Sequence, residues 1–231
     1  MTSRTPLLLL ALFALACHPG HESTKPEPEA GSTPIVEQSG GTLANQDGHI
    51  GYPGELISTE AMTQDFLARQ RLEGKFGDRE FKFDAVLQFR DGTLTVLGLT
   101  PFGTKAFVIE QTGTEVSFTS LIDREIPFPA EYMLQDIHRA WLWHKRLPWA
   151  DQPPNEATPS AEIAGERVTE TWTENGLVRR TFERLDGEPE GQIRIDYMGG
   201  HRTGRPAKHV ILDNGWFGYR LEIETMQWRA L

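Results

Sequence analysis

The sequence predicts a β-rich α+β domain: an antiparallel sheet curled into an open or closed barrel, with one helix as its lid or plug. Two observations predict it. Stretches with apolar residues at every second position recur along the chain with turn signals between them, and only one stretch carries a helical repeat. The clearest alternation is Phe81, Phe83, Ala85, Leu87 and Phe89, the period of a strand with one face turned inward. Asp91-Gly92 supplies a tight hairpin, and 93–99 is almost wholly β-branched or apolar. The following turn is unusual. Pro101 cannot donate to a ladder and Gly103 accepts uncommon backbone angles, so Phe102 between them stands where turns are normally polar. Its ring is either tucked back onto the core or presented to something apolar.

Residues 104–111 and 115–121 read as two further strands around Thr112-Gly113. Before the central hairpin, 55–76 reads as a short helix capped by Ser58 or Thr59, followed by a strand. Ile126-Pro127-Phe128-Pro129 is extended, because residues before proline avoid helical angles. Pro129 then opens the helix, on which Met133 or Leu134, Ile137 and Ala140 or Trp141 recur at spacings of three and four. The polar, proline-rich stretch 148–159 is a surface connector. Beyond it come strands at 167–173, 177–184, 193–197, 209–213 and 219–225, punctuated by Asn175-Gly176, Asp186-Gly187 and Asn214-Gly215. Apolar Ile193, Ile195 and Tyr197 alternate with Arg194 and Asp196, giving one wet face and one packed face.

With 231 residues and 38% hydrophobic content the chain can build one sizeable core. A net charge of −10 argues against a nucleic-acid surface, which needs a basic patch, and against adhesion to anionic lipid by charge alone. The N-terminus offers another route to a membrane. Arg4 precedes an apolar run over 7–16, long enough for a signal-peptide core and too short to span a bilayer. Ala14-Leu15-Ala16-Cys17 resembles a bacterial lipobox. That resemblance implies a signal peptide over 1–16 and a lipidated Cys17 as the first mature residue; the single cysteine by itself allows no intrachain disulfide. His18 in place of aspartate leans towards the outer membrane, with the outer leaflet of the inner membrane as the alternative. Residues 17–45 carry the lipidated end and a flexible Pro, Glu, Gly, Ser and Thr tether; 46–231 is the folded domain.

No catalytic constellation stands out. The seven histidines show no metal-ligand spacing; His138 and His144 fall on different sides of the helix and read as surface or capping residues. No nucleophile elbow or phosphate loop is present. Neither enzyme activity, a metal nor a cofactor is expected.

Aromatic residues at 81, 83, 89, 102, 107, 141, 143 and 172 are ordinary core taken singly; as a group beneath a plugging helix they would line a cavity wide enough for acyl chains. The lipobox, the strand ending in Leu99-Thr100-Pro101-Phe102-Gly103, and Ile126-Pro127-Phe128-Pro129 leading into the helix with Met133, Ile137 and Trp141 together resemble the LolB-type lipoproteins of the LolA/LolB superfamily. The likeness covers roughly residues 72–143, and 148 onward matches by pattern only. A closer likeness is to an uncharacterised family of LolB-like lipoproteins.

The resemblance implies a half-open antiparallel β-barrel with a helical lid, and a function in binding the acyl chains of a lipid or lipoprotein cargo. It also implies transfer to the outer membrane, receipt from a periplasmic carrier protein, and a protruding membrane-insertion loop at Pro101, Phe102 and Gly103. On this reading Phe83, Leu87, Phe89, Leu94, Val96, Ile137 and Trp141 line the cavity or its lid. The rival function is a scaffold or assembly lipoprotein that docks protein partners. An apolar void of several hundred cubic ångströms would favour carriage, and a filled interior docking.

Overall fold

The computed structural model describes residues 52–122, 130–202 and 205–231. The expected signal peptide, Cys17, the tether and the Ile126–Pro129 stretch lie outside them. A 3₁₀ turn at Thr59–Ala61, with Ser58 Oγ accepting from the Glu60 N–H, stands where a short helix was expected. Eleven strands follow: β1 Phe66–Phe76, β2 Arg79–Arg90, β3 Thr93–Leu99, β4 Lys105–Thr112, β5 Glu115–Ser120, β6 Ser160–Ile163, β7 Glu166–Thr173, β8 Gly176–Arg184, β9 Gln192–His201, β10 His209–Asn214 and β11 Tyr219–Ala230. They form one antiparallel sheet in the order β5-β4-β3-β2-β1-β11-β10-β9-β8-β7-β6. The sheet does not close, so β5 and β6 are its two edges. β6 was not expected, because four residues after a proline-rich connector carry too short an alternation to read.

Hairpin chemistry sets much of the register. Asp91 and Gly92 both adopt positive φ, 51° and 79°, as the turn that matches strand twist requires. Pairing of β1 with β2 and with β11 puts the turns after Phe76, Leu99 and Asn214 at one end of the sheet, called here the upper end. The outward face carries exposed charge. Arg179, Asp196, Arg194 and Asp213 form a ladder of contacts of 2.6 to 3.2 Å across β8, β9 and β10.

The helix α1, Ala130–Ile137, crosses the inward face and continues without a break into a π-helical turn at His138–Leu142 and a 3₁₀ turn at Trp143–Arg146. This segment parts the core. Met133 and Leu134 pack on Phe66, Leu72, Leu87, Phe89, Leu94 and Val96 of the β1–β4 half. Leu142 and Trp143 pack on Val168, Phe182, Ile193, Ile195 and Leu212 of the β7–β10 half. The Trp143 ring meets that of Phe182 edge-on, centroids 5.1 Å apart.

Candidate functional site

The segment from α1 to Arg146 is seated by buried polar groups as well as by apolar contact. Asp136 on α1 accepts from the hydroxyls of Tyr52 and Tyr219, and Asn214 Nδ2 donates to both phenol oxygens at 2.8 Å. Burial pushes the Asp136 carboxyl up to about 6, against the two phenols and Arg139, which favour its charge.

Two residues on, His138 closes a ring of hydrogen bonds. Its Nδ1 accepts from the Ile57 N–H at 3.0 Å, so Nε2 carries the proton and donates to Gln111 Oε1 at 2.7 Å. Gln111 Nε2 returns to the Ile57 carbonyl at 2.8 Å. Burial holds the imidazole neutral, its pKa down to about 3. His138 is therefore a buried structural histidine and not the surface or capping residue expected.

Arg139 and Glu166 form an ion pair at 2.7 Å with neither side chain exposed. The guanidinium also donates to the Pro53 carbonyl at 2.6 Å and lies 4.8, 5.3 and 5.1 Å from the rings of Tyr52, Phe182 and Trp216. Beside it Arg180 pairs with Glu170 at 2.6 Å and donates to the Arg139 carbonyl at 2.5 Å. Glu170 Oε2 accepts from the indoles of Trp149 and Trp172 at 2.7 and 2.9 Å. Tyr197 adds a bond to the Ala140 carbonyl at 2.8 Å. The clamp therefore grips residues 138–140, while α1 itself is held by Asp136 near its C-terminal end and by apolar packing.

These buried charges escaped the sequence reading, although a signal was there. Glu166 and Glu170 share the phase of apolar Val168 and Trp172 along β7, and Arg180 shares that of Phe182 along β8.

At the upper end, between α1 and the sheet, lies an almost wholly apolar cavity of about 20 Å³ bordered by Leu72, Phe76, Phe81, Phe83, Met133 and Tyr219 among others. That is room for about one water. Two glycines flatten the sheet beside it. Gly74 stands opposite Phe81 and Gly98 opposite Phe107 across the strands. A Cβ would meet those rings at 2.5 and 2.1 Å, so the rings lie across the glycines. Phe81, Phe83, Phe107 and Phe118 then follow one another at centroid spacings of 6.0 to 6.2 Å, from the cavity to the β5 edge. A second, half-polar cleft of about 230 Å³ lies at the lower end, lined in part by Phe66, Trp141, Lys145 and Trp228.

Of the residues expected to line a hollow, Phe83 borders the upper cavity and Trp141 the lower cleft. Leu87, Phe89, Leu94 and Val96 are buried beneath α1, and Ile137 packs against that cluster; none of the five lines either space. The hollow of several hundred cubic ångströms is absent from the upper cavity, because Met133 and Leu134 fill it with α1 seated.

Pro101, Phe102 and Gly103 cap the β3–β4 turn, which Gly103 at φ 79° and the Gly103 N–H to Thr100 carbonyl bond of 2.8 Å hold in shape. The Phe102 side chain stands out into solvent, 95% exposed. Among the described residues no three His, Cys, Asp or Glu converge as a metal site, and no helix is long and apolar enough to cross a membrane.

An open antiparallel sheet holding a helical plug against its inward face is a half-open barrel with a lid. The chain belongs to the family described as "Protein of unknown function (DUF3261)", whose model matches residues 67–227. No curated protein matches it. Among solved structures it is similar to a LolA superfamily protein from Nitrosomonas europaea, at 8% identity and a TM-score of 0.40 over 74% of this chain and 89% of that one. It is also similar to an outer membrane lipoprotein-sorting protein domain from Vibrio parahaemolyticus, at 12% identity and a TM-score of 0.38 over 75% and 92%. A DUF1329 family protein from Desulfovibrio piger follows at 10% identity and a TM-score of 0.35 over 74% and 88%.

Proposed function

We propose that this protein is an outer-membrane lipoprotein, anchored through Cys17, that takes an acyl chain of a lipid or lipoprotein between α1 and the sheet and releases it to the membrane beside Phe102. The observation that carries the reading is one of position. The apolar cavity under α1 and the fully exposed Phe102 lie at the same end of the sheet. With α1 seated no chain fits, so loading lifts the first turns of the helix while the clamp on residues 138–140 stays closed. Inserting the Phe102 ring into lipid contributes about 1.5 to 3 kcal/mol, enough to bias a transient contact. The donor on this reading is a periplasmic carrier protein, and no covalent step is involved.

The filled interior favours a second reading, a lipoprotein whose solid core presents its surface to protein partners. Titrating the full chain carrying Cys17→Ser with a fluorescent long-chain fatty acid separates the two. Saturable binding is expected, and in Phe102→Glu that binding persists while transfer to liposomes falls about tenfold or more. No saturable uptake leaves the docking reading; equal loss of uptake and transfer assigns Phe102 to the fold.

A further inference from the structure

The two edges of the sheet are built differently. β6 has four residues and follows Pro153, Pro154 and Pro159, and the chain before it is already tied to β7 by Trp172 N–H to Ala157 O and Glu170 N–H to Pro159 O. Short, proline-flanked edges resist pairing with other chains. β5 has none of these devices. It is six residues, Glu-Val-Ser-Phe-Thr-Ser, with one charge and no proline, and its pairing with β4 runs without a bulge. The Leu121 N–H donates to the Ala106 carbonyl, so the odd-numbered residues of β5 face β4. By the alternation of an antiparallel ladder, Val116, Phe118 and Ser120 turn their N–H and C=O groups outward. Among the described residues no strand pairs with that edge. Phe118 and Leu121, 42% and 47% exposed, stand on and just after it. The Phe118 ring ends the aromatic file that begins at the upper cavity.

Resting on the acyl reading above, we infer that β5 is a strand-addition site for the extended peptide that follows the acylated residue of a lipoprotein cargo. An acyl chain under α1 leaves its peptide at the upper end of the sheet. β5 runs towards that end, so a peptide leading away from it pairs antiparallel with Val116, Phe118 and Ser120. Backbone bonds hold it regardless of sequence, and Phe118 and Leu121 cover its apolar side chains. The site thus distinguishes a lipoprotein from a free lipid by the peptide attached.

The test compares three probes on the full chain carrying Cys17→Ser: diacylglyceryl-cysteine, the same lipid with a polar peptide of about eight residues, a strand's length, and the peptide alone. The lipopeptide is expected to bind about tenfold tighter than diacylglyceryl-cysteine and to slow hydrogen exchange at the amides of Val116, Phe118 and Ser120. Ser120→Pro removes one outward donor and leaves the β4 ladder intact, so it should abolish the gain without weakening diacylglyceryl-cysteine. The exchange measurement on the unsubstituted edge decides the matter if that variant folds poorly. Equal affinities with no protection overturn the inference, as does a dimer that Ser120→Pro dissociates, which would assign the edge to a second copy. Protection by the lipopeptide without any binding of diacylglyceryl-cysteine removes the acyl reading and leaves strand addition standing.

Discussion

Two neighbouring residues on the plug respond to pH in opposite directions. Asp136 is held up to about 6 by burial, so between about pH 4 and 6 the folded chain keeps a proton that the unfolded chain has lost. Its contribution to stability therefore falls as pH rises through that window. His138, down to about 3, and His201, down to about 4, stay neutral in the fold where an unfolded histidine is charged. Their contribution is complete above about pH 6.5 and is lost as pH falls. The opposed slopes flatten the stability of the natural chain across mild acid. Asp136→Asn removes one of them. Relative to that variant, the natural chain should gain about 2 kcal/mol between pH 7 and pH 4, measured by urea unfolding at both values. Parallel profiles would mean that the Asp136 carboxyl titrates as it does in the unfolded chain.

At the scale of elements, the clamp on the plug is more specific than it is strong. Arg139 and Glu166 give up all hydration for one close contact, and Arg139 Nε and Nη1 have no hydrogen-bond partner among the described residues. Glu166→Gln leaves a buried guanidinium without its counter-charge and should cost about 3 to 5 kcal/mol. Arg139→Met with Glu166→Gln should cost less than that single change, because three rings already surround the position of the guanidinium; a double-mutant cycle on unfolding free energies reads the difference. The same elements show what the sequence makes legible. Strands β2 to β5 follow from alternation and from Asp91-Gly92 and Thr112-Gly113, since one apolar phase and a positive-φ turn leave few other registers. Helix α1 follows from the spacing of Met133, Leu134 and Ile137. The volume beneath it does not, because it depends on how cavity-lining rings such as Phe81 lie, here across Gly74 on the neighbouring strand, a cross-strand fact with no local trace. Nor does the clamp: Glu166 and Arg180 sit in an apolar phase, but their partners lie 27 and 10 residues away along the chain.

For the molecule as a whole, the acyl reading makes ligand affinity depend on how firmly the plug is seated. If only the lifted form binds, the apparent dissociation constant is the intrinsic one divided by the lifted fraction. Any change that weakens the seat without touching the lifted site must then tighten binding by the factor through which it raises that fraction. Tyr219 borders the cavity, but Tyr219→Phe removes only the hydroxyl that donates to Asp136. It keeps the ring on the cavity wall, and the hydroxyl lost is one of the two that donate to Asp136, as well as a partner of Asn214. Loss of a hydrogen bond to a charged group costs about 1.5 to 3 kcal/mol, all of it in the seated form. The variant should therefore unfold more easily and yet bind a fluorescent fatty acid about tenfold tighter or better. A rigid docking protein predicts the first effect without the second, because its core has no lifted form to populate. Melting and lipid titration on one preparation of Tyr219→Phe thus report the coupling directly: opposite signs support a hinged plug, and a fall in both stability and affinity shows that the helix stays where it is.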